Sequence, residues 1–444
     1  MKRKYQSTRK FSTDTLITLS TRIVNFLFGM VISIIIARIL GPEGKGIYSL
    51  AILVPTLAIT FSNLGIGPAT IFYIGKEKYD LKKILGNNLI FSLIIGALAL
   101  LIGFIIILLT KGLFFKDVPI SLLMTALILI PFSLSFTLLN QIILGMQQIL
   151  KYNILEFSKQ FFFLILVVIV LLGFRLELLG ALLSHIFAIL LAAFFSGIVV
   201  YKLVGGINYK LDKKYSKDLF FYGIKAHISN ILSFLNYRAD IFLISAFLNP
   251  AAVGYYALAV GIGEKLWLIS TSASKVLFPR VASEKDSKRL KEFTPIVSRN
   301  VLFFTLIGAV FAYLLSEWII VLLYSEAFLE SIRPFQILLI GIIAASISRV
   351  LSHDIAGRGK VILNTYMAAL TVIVNISLNI LFIPRWGING AAWASVISYS
   401  IHLIVKLLIY SKISGNPVSK IIFIQKDDLK LYKNLIFSLT KTGS

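Results

Sequence analysis

The sequence contains no cysteine and is poor in acidic residues. Among 444 residues there are 20 Asp and Glu against 44 Lys and Arg, and charged residues make up 14% of the chain. The lack of cysteine excludes disulfides, thiol nucleophiles and thiolate metal sites. Soluble domains carry about 25% charged residues, so this shortage of charge, with 58% hydrophobic residues and a mean hydropathy of +0.89, predicts a polytopic membrane protein.

Long polar loops are also missing, because apolar stretches follow one another along the whole chain. Each is long enough to cross a hydrocarbon core of about 30 Å as a helix. The sequence therefore predicts an all-α integral membrane protein with about 12 transmembrane helices, and it leaves little room for a folded domain outside the membrane. The predicted spans are 12–40, 47–74, 86–110, 118–145, 154–174, 178–201, 218–248, 254–279, 292–315, 332–356, 361–383 and 390–411.

Motifs for the common enzymatic chemistries are absent from the sequence. No G-x-x-x-x-G-K-[ST] phosphate cradle is present, so ATP hydrolysis is not expected. The four histidines lie on different predicted helices without a ligand spacing, so neither a metal nor another cofactor is expected. A membrane glycosyltransferase or polymerase would need clustered catalytic acids or a sizeable external loop, and neither occurs. We therefore expect a protein that is not an enzyme.

The positive charge is distributed unevenly across the predicted membrane. Of the 44 Lys and Arg residues, 28 lie in the termini and the loops of one side, six lie in the opposite loops and ten lie within the spans. Because cytoplasmic loops are enriched in Lys and Arg, this bias places both termini in the cytoplasm. Topology thus accounts for the net charge of +24, and a nucleic-acid partner is not expected.

An internal repeat links the two halves of the sequence. The run ARILGPEGKGIYSLA at 37–51 recurs in looser form within LNYRADIFLISAFLNPAAVGYYALA at 235–259, at an offset of 208. Two weaker matches have offsets of 210 and 212, as short insertions would produce. Since six is an even number of helices, both halves enter the membrane in the same direction, which predicts a parallel pseudo-repeat of two six-helix lobes. The matched pairs are Leu40 and Leu248, Pro42 and Pro250, Gly46 and Gly254, Tyr48 and Tyr256, Leu50 and Leu258, Ala51 and Ala259, Arg175 and Arg385, Gly180 and Gly390, Ala181 and Ala391, Leu139 and Leu351, and Gly145 and Gly357.

The repeat and the loops together predict four segments. An N-terminal lobe with helices 1–6 covers 1–204, and a basic cytoplasmic linker covers 205–217. A C-terminal lobe with helices 7–12 covers 218–411. The basic cytoplasmic tail, 412–444, is too polar to span, and it is expected either to lie on the anionic inner leaflet or to be disordered.

Ten cations fall within the predicted spans, where a charge costs about 2.5–3.5 kcal/mol on insertion scales. Four lie near helix ends, where the side chain is expected to reach the membrane surface: Arg38, Lys275, Arg299 and Lys406. The other six call for a partner or a watery cavity: Arg22, Lys159, Lys225, Arg238, Lys265 and Arg349.

The most conspicuous ionisable residues are Arg238 and Asp240. They lie two residues apart on one predicted helix, so they point to different sides and are not expected to pair with each other. Arg238 either lines a cavity and awaits an anionic substrate or pairs with an acid such as Glu264. Asp240 either binds a cation or pairs with a basic residue of another helix. Glu156 and Lys159, three residues apart, can satisfy one another.

The motifs resemble a known family of membrane proteins. ARILGPEGKGIYSLA at 37–51, SNLGIGPA at 62–69, YRADIFLISAFLNPAAVGYYALA at 237–259 and LFPRVA at 277–282 resemble the polysaccharide (O-antigen, Wzx-type) flippases of the multidrug/oligosaccharidyl-lipid/polysaccharide exporter superfamily. Members often have an acid at the position of Asn63 and an arginine near Tyr73, so no role is carried over to those two positions.

The resemblance implies two six-helix lobes around a central cavity and alternating access in the cytoplasmic (inner) membrane. The implied substrate is a polyprenyl-diphosphate-linked oligosaccharide used in surface polysaccharide biosynthesis. A polysaccharide polymerase and chain-length machinery are the protein partners expected of such a flippase. The lipid bilayer is the remaining partner.

The excess of intramembrane cations agrees with an anionic diphosphate substrate. We expect four residues to attract it: Arg22, Arg238, Lys265 and Lys159. Asp240 and Glu264 are expected to serve in ion coupling or in pairing. The alternative is an ion-coupled multidrug or metabolite antiporter of the same superfamily, for which an acidic cavity would be expected. A membrane glycosyltransferase or polymerase is the third and weakest hypothesis.

Overall fold

Helices dominate the chain, as the hydropathy pattern predicts. The computed structural model describes residues 2–284, 286–425 and 428, and within these ranges the regular structure contains helices and no strand. The helices are α1 Lys2–Ser62, α2 Ile66–Gly75, α3 Leu81–Phe114, α4 Ile120–Leu127, α5 Leu129–Gly145, α6 Ile149–Val167, α7 Leu178–Val204, α8 Lys213–Phe247, α9 Pro250–Gly263, α10 Trp267–Ser283, α11 Ser287–Leu314, α12 Ser316–Tyr324, α13 Ile332–Gly357, α14 Val361–Ser414 and α15 Val418–Ile422.

Nine of the described helical stretches are long and apolar enough to cross a membrane. Two of them contain a glycine with positive φ, Gly41 (φ 64°) in α1 and Gly387 (φ 57°) in α14. A left-handed backbone is natural for glycine and breaks a helix there. Each of these two stretches therefore comprises two helices of about 20 residues or more, and the 35-residue α8 is also long enough to span. The predicted all-α membrane fold is confirmed.

Polar side chains fix where some of the long helices begin. Asp212 precedes α8, and its Oδ1 accepts hydrogen bonds from the backbone N–H groups of Lys214 and Tyr215 at 3.0 Å each. These bonds satisfy donors that the first helical turn leaves without a partner. They also hold the pKa of the Asp212 carboxyl below its usual value, chiefly through the Tyr215 N–H.

The chain forms two compact units. The first comprises 1–234 and 249–254, and the second comprises 235–248 and 255–444. The boundary between the units falls within α8, at residue 235, and again within α9. The predicted segment boundaries at 204, 217 and 411 stay a prediction.

The first unit has an apolar interior built around the first copy of the repeat. Ile32, Ile36 and Tyr48 of α1 are buried together with Val167 and Ala181. The buried Tyr48 hydroxyl lies 3.3 Å from His185 Nδ1 of α7, so the one polar atom of the tyrosine has a partner in this apolar cluster.

The second copy of the repeat places its tyrosine in the same way. Tyr256 is fully buried in the second unit, and its hydroxyl lies 3.3 Å from Ser395 Oγ of α14. His185 and Ser395 stand at an offset of 210, the offset that the sequence gives for this part of the chain. The tyrosine contact is therefore made between equivalent positions of both copies, as a duplicated fold requires.

The described part of the tail packs against the second unit. Ile421 of α15 is fully buried in a cluster with Tyr410, Leu407 and Ile355. Arg299 of α11 binds Asp428 through Nε–Oδ2 at 2.7 Å and Nη2–Oδ1 at 2.8 Å. This part of the tail therefore packs against helices of the second unit, and its expected place on the inner leaflet stays a prediction. Residues 426, 427 and 429–444 of the predicted tail lie outside the described residues.

Candidate functional site

Arg238 forms a bidentate ion pair with Glu264. Nη1–Oε1 is 2.8 Å and Nη2–Oε2 is 3.0 Å, and Nη1 also donates to the carbonyl of Tyr237 at 3.0 Å. Arg238 lies on α8, and Glu264 begins the single 3₁₀ turn between α9 and α10. The structure therefore contains the internal pair that was one of the two readings of Arg238. A guanidinium fork of this kind also matches two oxygens of a phosphate group.

Asp240 is buried without an ion pair in the described residues. The side chain is 2% exposed, and Oδ2 accepts a hydrogen bond from the Tyr256 hydroxyl at 2.6 Å. Oδ1 accepts from the backbone N–H of Ile241 at 2.8 Å. The position 208 residues earlier is Ile32, which is buried in the apolar cluster around Tyr48. Since the first copy packs with an apolar residue here, the fold itself does not require an acid at this position.

Lys159 belongs to a neutral polar network in the first unit. Its Nζ lies 3.0 Å from Glu156 Oε2, and the other oxygen of Glu156 accepts from Asn140 Nδ2 at 3.1 Å. Ser196 then donates to Asn140 Oδ1 at 3.1 Å. The predicted pairing of Glu156 with Lys159 is thus present, and the network unites α5, α6 and α7.

Arg22 lies exposed on α1 and has no hydrogen-bond or ion-pair partner among the described residues. Its neighbour Asn25 donates to the carbonyl of Glu156 at 3.2 Å, which places Arg22 on the helix next to the Lys159 network. Lys265 is exposed in the same 3₁₀ turn as Glu264. Of the four predicted substrate contacts, Arg22 and Lys159 belong to the first unit.

Arg238 and Lys265 belong to the second unit. Lys225, which the sequence also singled out, has a side chain that lies outside the described residues.

Two cations do not reach the membrane surface as the sequence predicted. Arg299 is 4% exposed because it binds Asp428, and Lys406 is 2% exposed because its Nζ donates to Ser352 Oγ inside the second unit. The prediction of snorkelling side chains was wrong for both residues, since position along a helix does not tell which face of the helix meets other helices.

Lys406 is a candidate site residue that the sequence pattern alone did not assign to a site. It lies four residues after His402, on one face of α14, and the two side chains line a cleft together with Arg349 of α13. The helical spacing of His402 and Lys406 was the signal in the sequence that these side chains share a face.

Comparisons with known proteins give the family and the fold. A family model described as polysaccharide biosynthesis protein matches residues 11–285. A Shigella flexneri protein named "Putative O-antigen transporter" is 25% identical over 389 residues, which cover 84% of this chain and 90% of that protein. A Haloferax volcanii protein named "Probable low-salt glycan biosynthesis flippase Agl15" is 23% identical over 210 residues, covering 43% of this chain and 41% of that protein.

Solved structures with the same fold include lipid II flippase MurJ in an inward closed conformation. Its TM-score is 0.76 at 18% identity, and the match covers 92% of this chain and 89% of that chain. A multidrug resistance MATE family transporter in an inward-facing conformation has a TM-score of 0.74 at 15% identity, with 90% and 98% covered. At these identities the two structures give the fold alone.

Proposed function

The chain belongs to the polysaccharide biosynthesis protein family, and from this premise we propose that it is a flippase for a lipid-linked oligosaccharide. It is a multi-pass membrane protein. The proposed substrate is an oligosaccharide on polyprenyl diphosphate, moved by alternating access from the cytoplasmic to the outer leaflet of the cytoplasmic membrane. The product would then serve surface polysaccharide biosynthesis.

The observation that carries this proposal is the excess of cations within the membrane-spanning helices. Ten Lys and Arg residues lie in the predicted spans, where each unpaired charge is costly. A diphosphate-linked sugar brings negative charge and a polar head group, and both need a hydrated, positively charged route through hydrocarbon. A carrier of cationic drugs would be expected to show the opposite excess.

Arg22 and Arg238 are the strongest proposed contacts for the diphosphate, for different reasons. Arg22 is exposed and has no competing partner among the described residues. Arg238 would exchange Glu264 for a phosphate oxygen pair, which keeps the charge balanced while substrate enters and leaves. Lys159 and Lys265 are proposed as further contacts. Lys159 would exchange its partner Glu156 for a phosphate oxygen, as Arg238 would exchange Glu264.

Asp240 and Glu264 are the proposed coupling residues. Glu264 is released whenever substrate takes Arg238, so it becomes free to take a proton or a cation at that step. Asp240 has only hydroxyl and amide donors in the structure, so it too can take a proton or a cation without breaking an ion pair. Either residue would link an ion gradient to the movement of the substrate.

Topology and partners are proposed together with the function. The 28 to 6 distribution of Lys and Arg supports both termini in the cytoplasm. A polysaccharide polymerase and chain-length machinery are proposed to act on the translocated product, and no enzymatic activity is proposed for this chain.

The proposal is tested with purified protein in liposomes. Leaflet exchange of a fluorescent polyprenyl-diphosphate oligosaccharide is followed beside efflux of a cationic dye. We expect lipid movement without dye efflux, and a loss of about tenfold or more in Arg238→Ala, because a charge-assisted pair is worth about 1.5–3 kcal/mol. Lys116→Ala, an exposed loop cation, is the matched control and should leave the rate unchanged.

A second variant separates substrate binding from structural pairing. Glu264→Gln frees Arg238 without removing it, so a substrate-binding arginine predicts a milder loss of lipid movement than in Arg238→Ala. Equal losses in protein amount and in lipid movement for both variants would reduce the pair to a structural role. Dye efflux without lipid movement would overturn the flippase in favour of the antiporter.

A further inference from the structure

A polar cleft lies inside the second unit, and neither Arg238 nor Glu264 lines it, although the neighbouring Tyr237 does. Its cavity volume is about 40 Å³, enough for about three water molecules at roughly 10–15 Å³ each. That space admits a group of the size of phosphate but no oligosaccharide. The side chains that give the cleft its character are Arg349, Lys406, His402, Ser352, Asn236 and Tyr399.

Lys406 brings a buried ammonium group to the cleft. Its side chain is 2% exposed, and its Nζ donates to Ser352 Oγ. Ser352 Oγ in turn donates to the carbonyl of Ser348 at 2.8 Å, so the one donor of this hydroxyl is used. An ammonium group has three donors. The described structure gives Lys406 one hydrogen bond and no carboxylate, which leaves donors for a ligand.

Arg349 brings a second cation that aromatic rings hold in place. Its guanidinium carbon lies 3.9 Å from the ring centroid of Trp267 and 5.2 Å from that of Tyr237. Its Nε is buried without a hydrogen-bond partner among the described residues. Ring stacking orients a guanidinium but leaves its in-plane N–H donors unused. A buried donor without a partner is costly, so Nε indicates a missing acceptor.

No acid neutralises these two cations within the described lining of the cleft. Asp354, on the same helix as Arg349, is bound by Thr294 and Arg358. A buried Lys406 beside a half-buried Arg349, without a counter-ion among the described residues, is disfavoured in a membrane interior. A bound anion would supply the negative charge that the described lining lacks.

The repeat provides an internal comparison for this cleft. Asn140 and Ser196 of the first unit stand at offsets of 212 and 210 from Ser352 and Lys406, and they are hydrogen-bonded to each other in the same way. In the first copy, the side-chain amide of Asn140 and the hydroxyl of Ser196 thus make the hydrogen bond between α5 and α7. No cation is needed for this contact between helices.

Arg349 is also an addition in the second copy, since its counterpart at the offset of 212 is Thr137. The nearby cation of the first copy, Lys159, is balanced by Glu156. The second copy therefore carries positive charge that packing does not require.

From these observations we propose that Arg349 and Lys406 form a binding site for a phosphate-class oxyanion. Arg349 Nε and the free donors of Lys406 would bind its oxygens, and His402 and Asn236 would complete the polar wall. The site goes beyond the proposed function, because it is separate from Arg238 and does not depend on which substrate the protein moves. A free phosphate and the head group of a phospholipid or prenyl phosphate share this chemistry.

Binding is measured by calorimetry on purified, delipidated protein in a phosphate-free maltoside detergent, with detergent micelles alone as a blank. The probes are inorganic phosphate, inorganic pyrophosphate and farnesyl diphosphate. We expect saturable binding that weakens about tenfold or more in Arg349→Met and in Lys406→Met, with partial recovery in Arg349→Lys and Lys406→Arg. Lys360→Met, an exposed loop cation, should bind as the unchanged protein does.

The two sources of the anion give different results. Binding of farnesyl diphosphate at least tenfold tighter than pyrophosphate assigns the site to a lipid head group, and equal binding assigns it to a free anion. If the unchanged protein does not bind any of the three probes, the proposal is overturned. This result does not depend on whether the variants fold. Binding that survives in both Met variants but disappears in Arg238→Ala places the anion elsewhere and also overturns it. Lipid movement in the liposome assay is read separately, so the flippase proposal stands or falls on its own.

Discussion

At the scale of single residues, positions 32 and 240 differ in polarity between the two copies of the duplicated fold. Both lie beside a buried tyrosine of the repeat, Tyr48 in one copy and Tyr256 in the other. Ile32 packs in an apolar cluster, whereas Asp240 binds the tyrosine hydroxyl at 2.6 Å. Burial of an acid without an ion pair is costly. Packing alone therefore does not explain an acid at this position, and the role that we propose for it is ion coupling.

Asp240→Asn tests that role because it keeps the shape of the side chain and an oxygen for the Tyr256 hydroxyl. We expect folding to be preserved and lipid movement to lose its acceleration by an imposed proton or sodium gradient, since an amide neither ionises nor supplies a carboxylate. The measurement is lipid exchange in liposomes with and without each gradient. Ser395→Ala, which keeps the carboxylate, is the control and should retain the gradient effect. A gradient response that persists unchanged in Asp240→Asn would leave the residue with pairing alone.

At the scale of elements, α1 and α9 touch through the two copies of the repeat. A Cβ built on Gly46 would lie 1.7 Å from the carbonyl oxygen of Pro250, and one built on Gly254 would lie 1.9 Å from that of Pro42. The contact is reciprocal, because each glycine of one copy meets the matched proline of the other, and both contacts lie within the first unit. Small residues of this kind let helix backbones approach closely in a membrane.

Gly46→Ala and Gly254→Ala should therefore be destabilising to a similar degree. Neither position has space for a Cβ, so the backbones must separate, which typically costs about 1–3 kcal/mol. We expect the thermal midpoint in detergent to fall for both variants. Gly261→Ala, also on α9 and without any atom within 4 Å of its Cβ, should leave the midpoint unchanged or raise it. A similar midpoint for Gly46→Ala and Gly261→Ala would show that the close approach is not required.

The elements also show what the sequence could and could not predict. Hydropathy is a local property, so the spans and the repeat were visible in the sequence. The residues from Gly41 to Gly46 were expected to form a loop between two spans. In the structure only Gly41 leaves helical geometry within α1. The partners within the site are not local: Arg238 and Glu264 are 26 residues apart, and Lys406 and Ser352 are 54 apart. Such contacts depend on how helices pack, which no short pattern encodes.

At the scale of the whole molecule, some of the described cations are neutralised by an acid and others have no acid beside them. Lys78 pairs with Asp218 and Lys159 with Glu156 in the first unit, whereas Arg349 and Lys406 share a cleft without a described acid. With 44 cations and 20 acids, the chain cannot pair every cation internally. The places where acids are absent are accordingly the places where anionic ligands are expected.

The pair of Arg299 and Asp428 differs from the Arg349 and Lys406 cleft, because here an acid neutralises a buried cation. The two residues are far apart in the sequence, and their contact is structural. Both side chains are about 5% exposed or less, and Arg299 also donates to the carbonyl of Lys420 at 2.9 Å. Removing one partner leaves an uncompensated buried charge, so Asp428→Leu should destabilise the protein by about 3–5 kcal/mol.

The double variant Arg299→Met with Asp428→Leu should recover much of that loss, since an apolar pair of similar volume avoids the cost of burying charge. Thermal unfolding of the single and double variants measures both effects. Asp286→Ala, whose ion pair with Arg289 is exposed, is the control and should change stability by less than about 1 kcal/mol. If Asp428→Leu alone melts like the unchanged protein, the tail is not held through this pair. A recovery in the double variant would show that the loss in Asp428→Leu comes from the buried charge left without a partner, while the packing of Ile421 still holds the tail segment on the second unit.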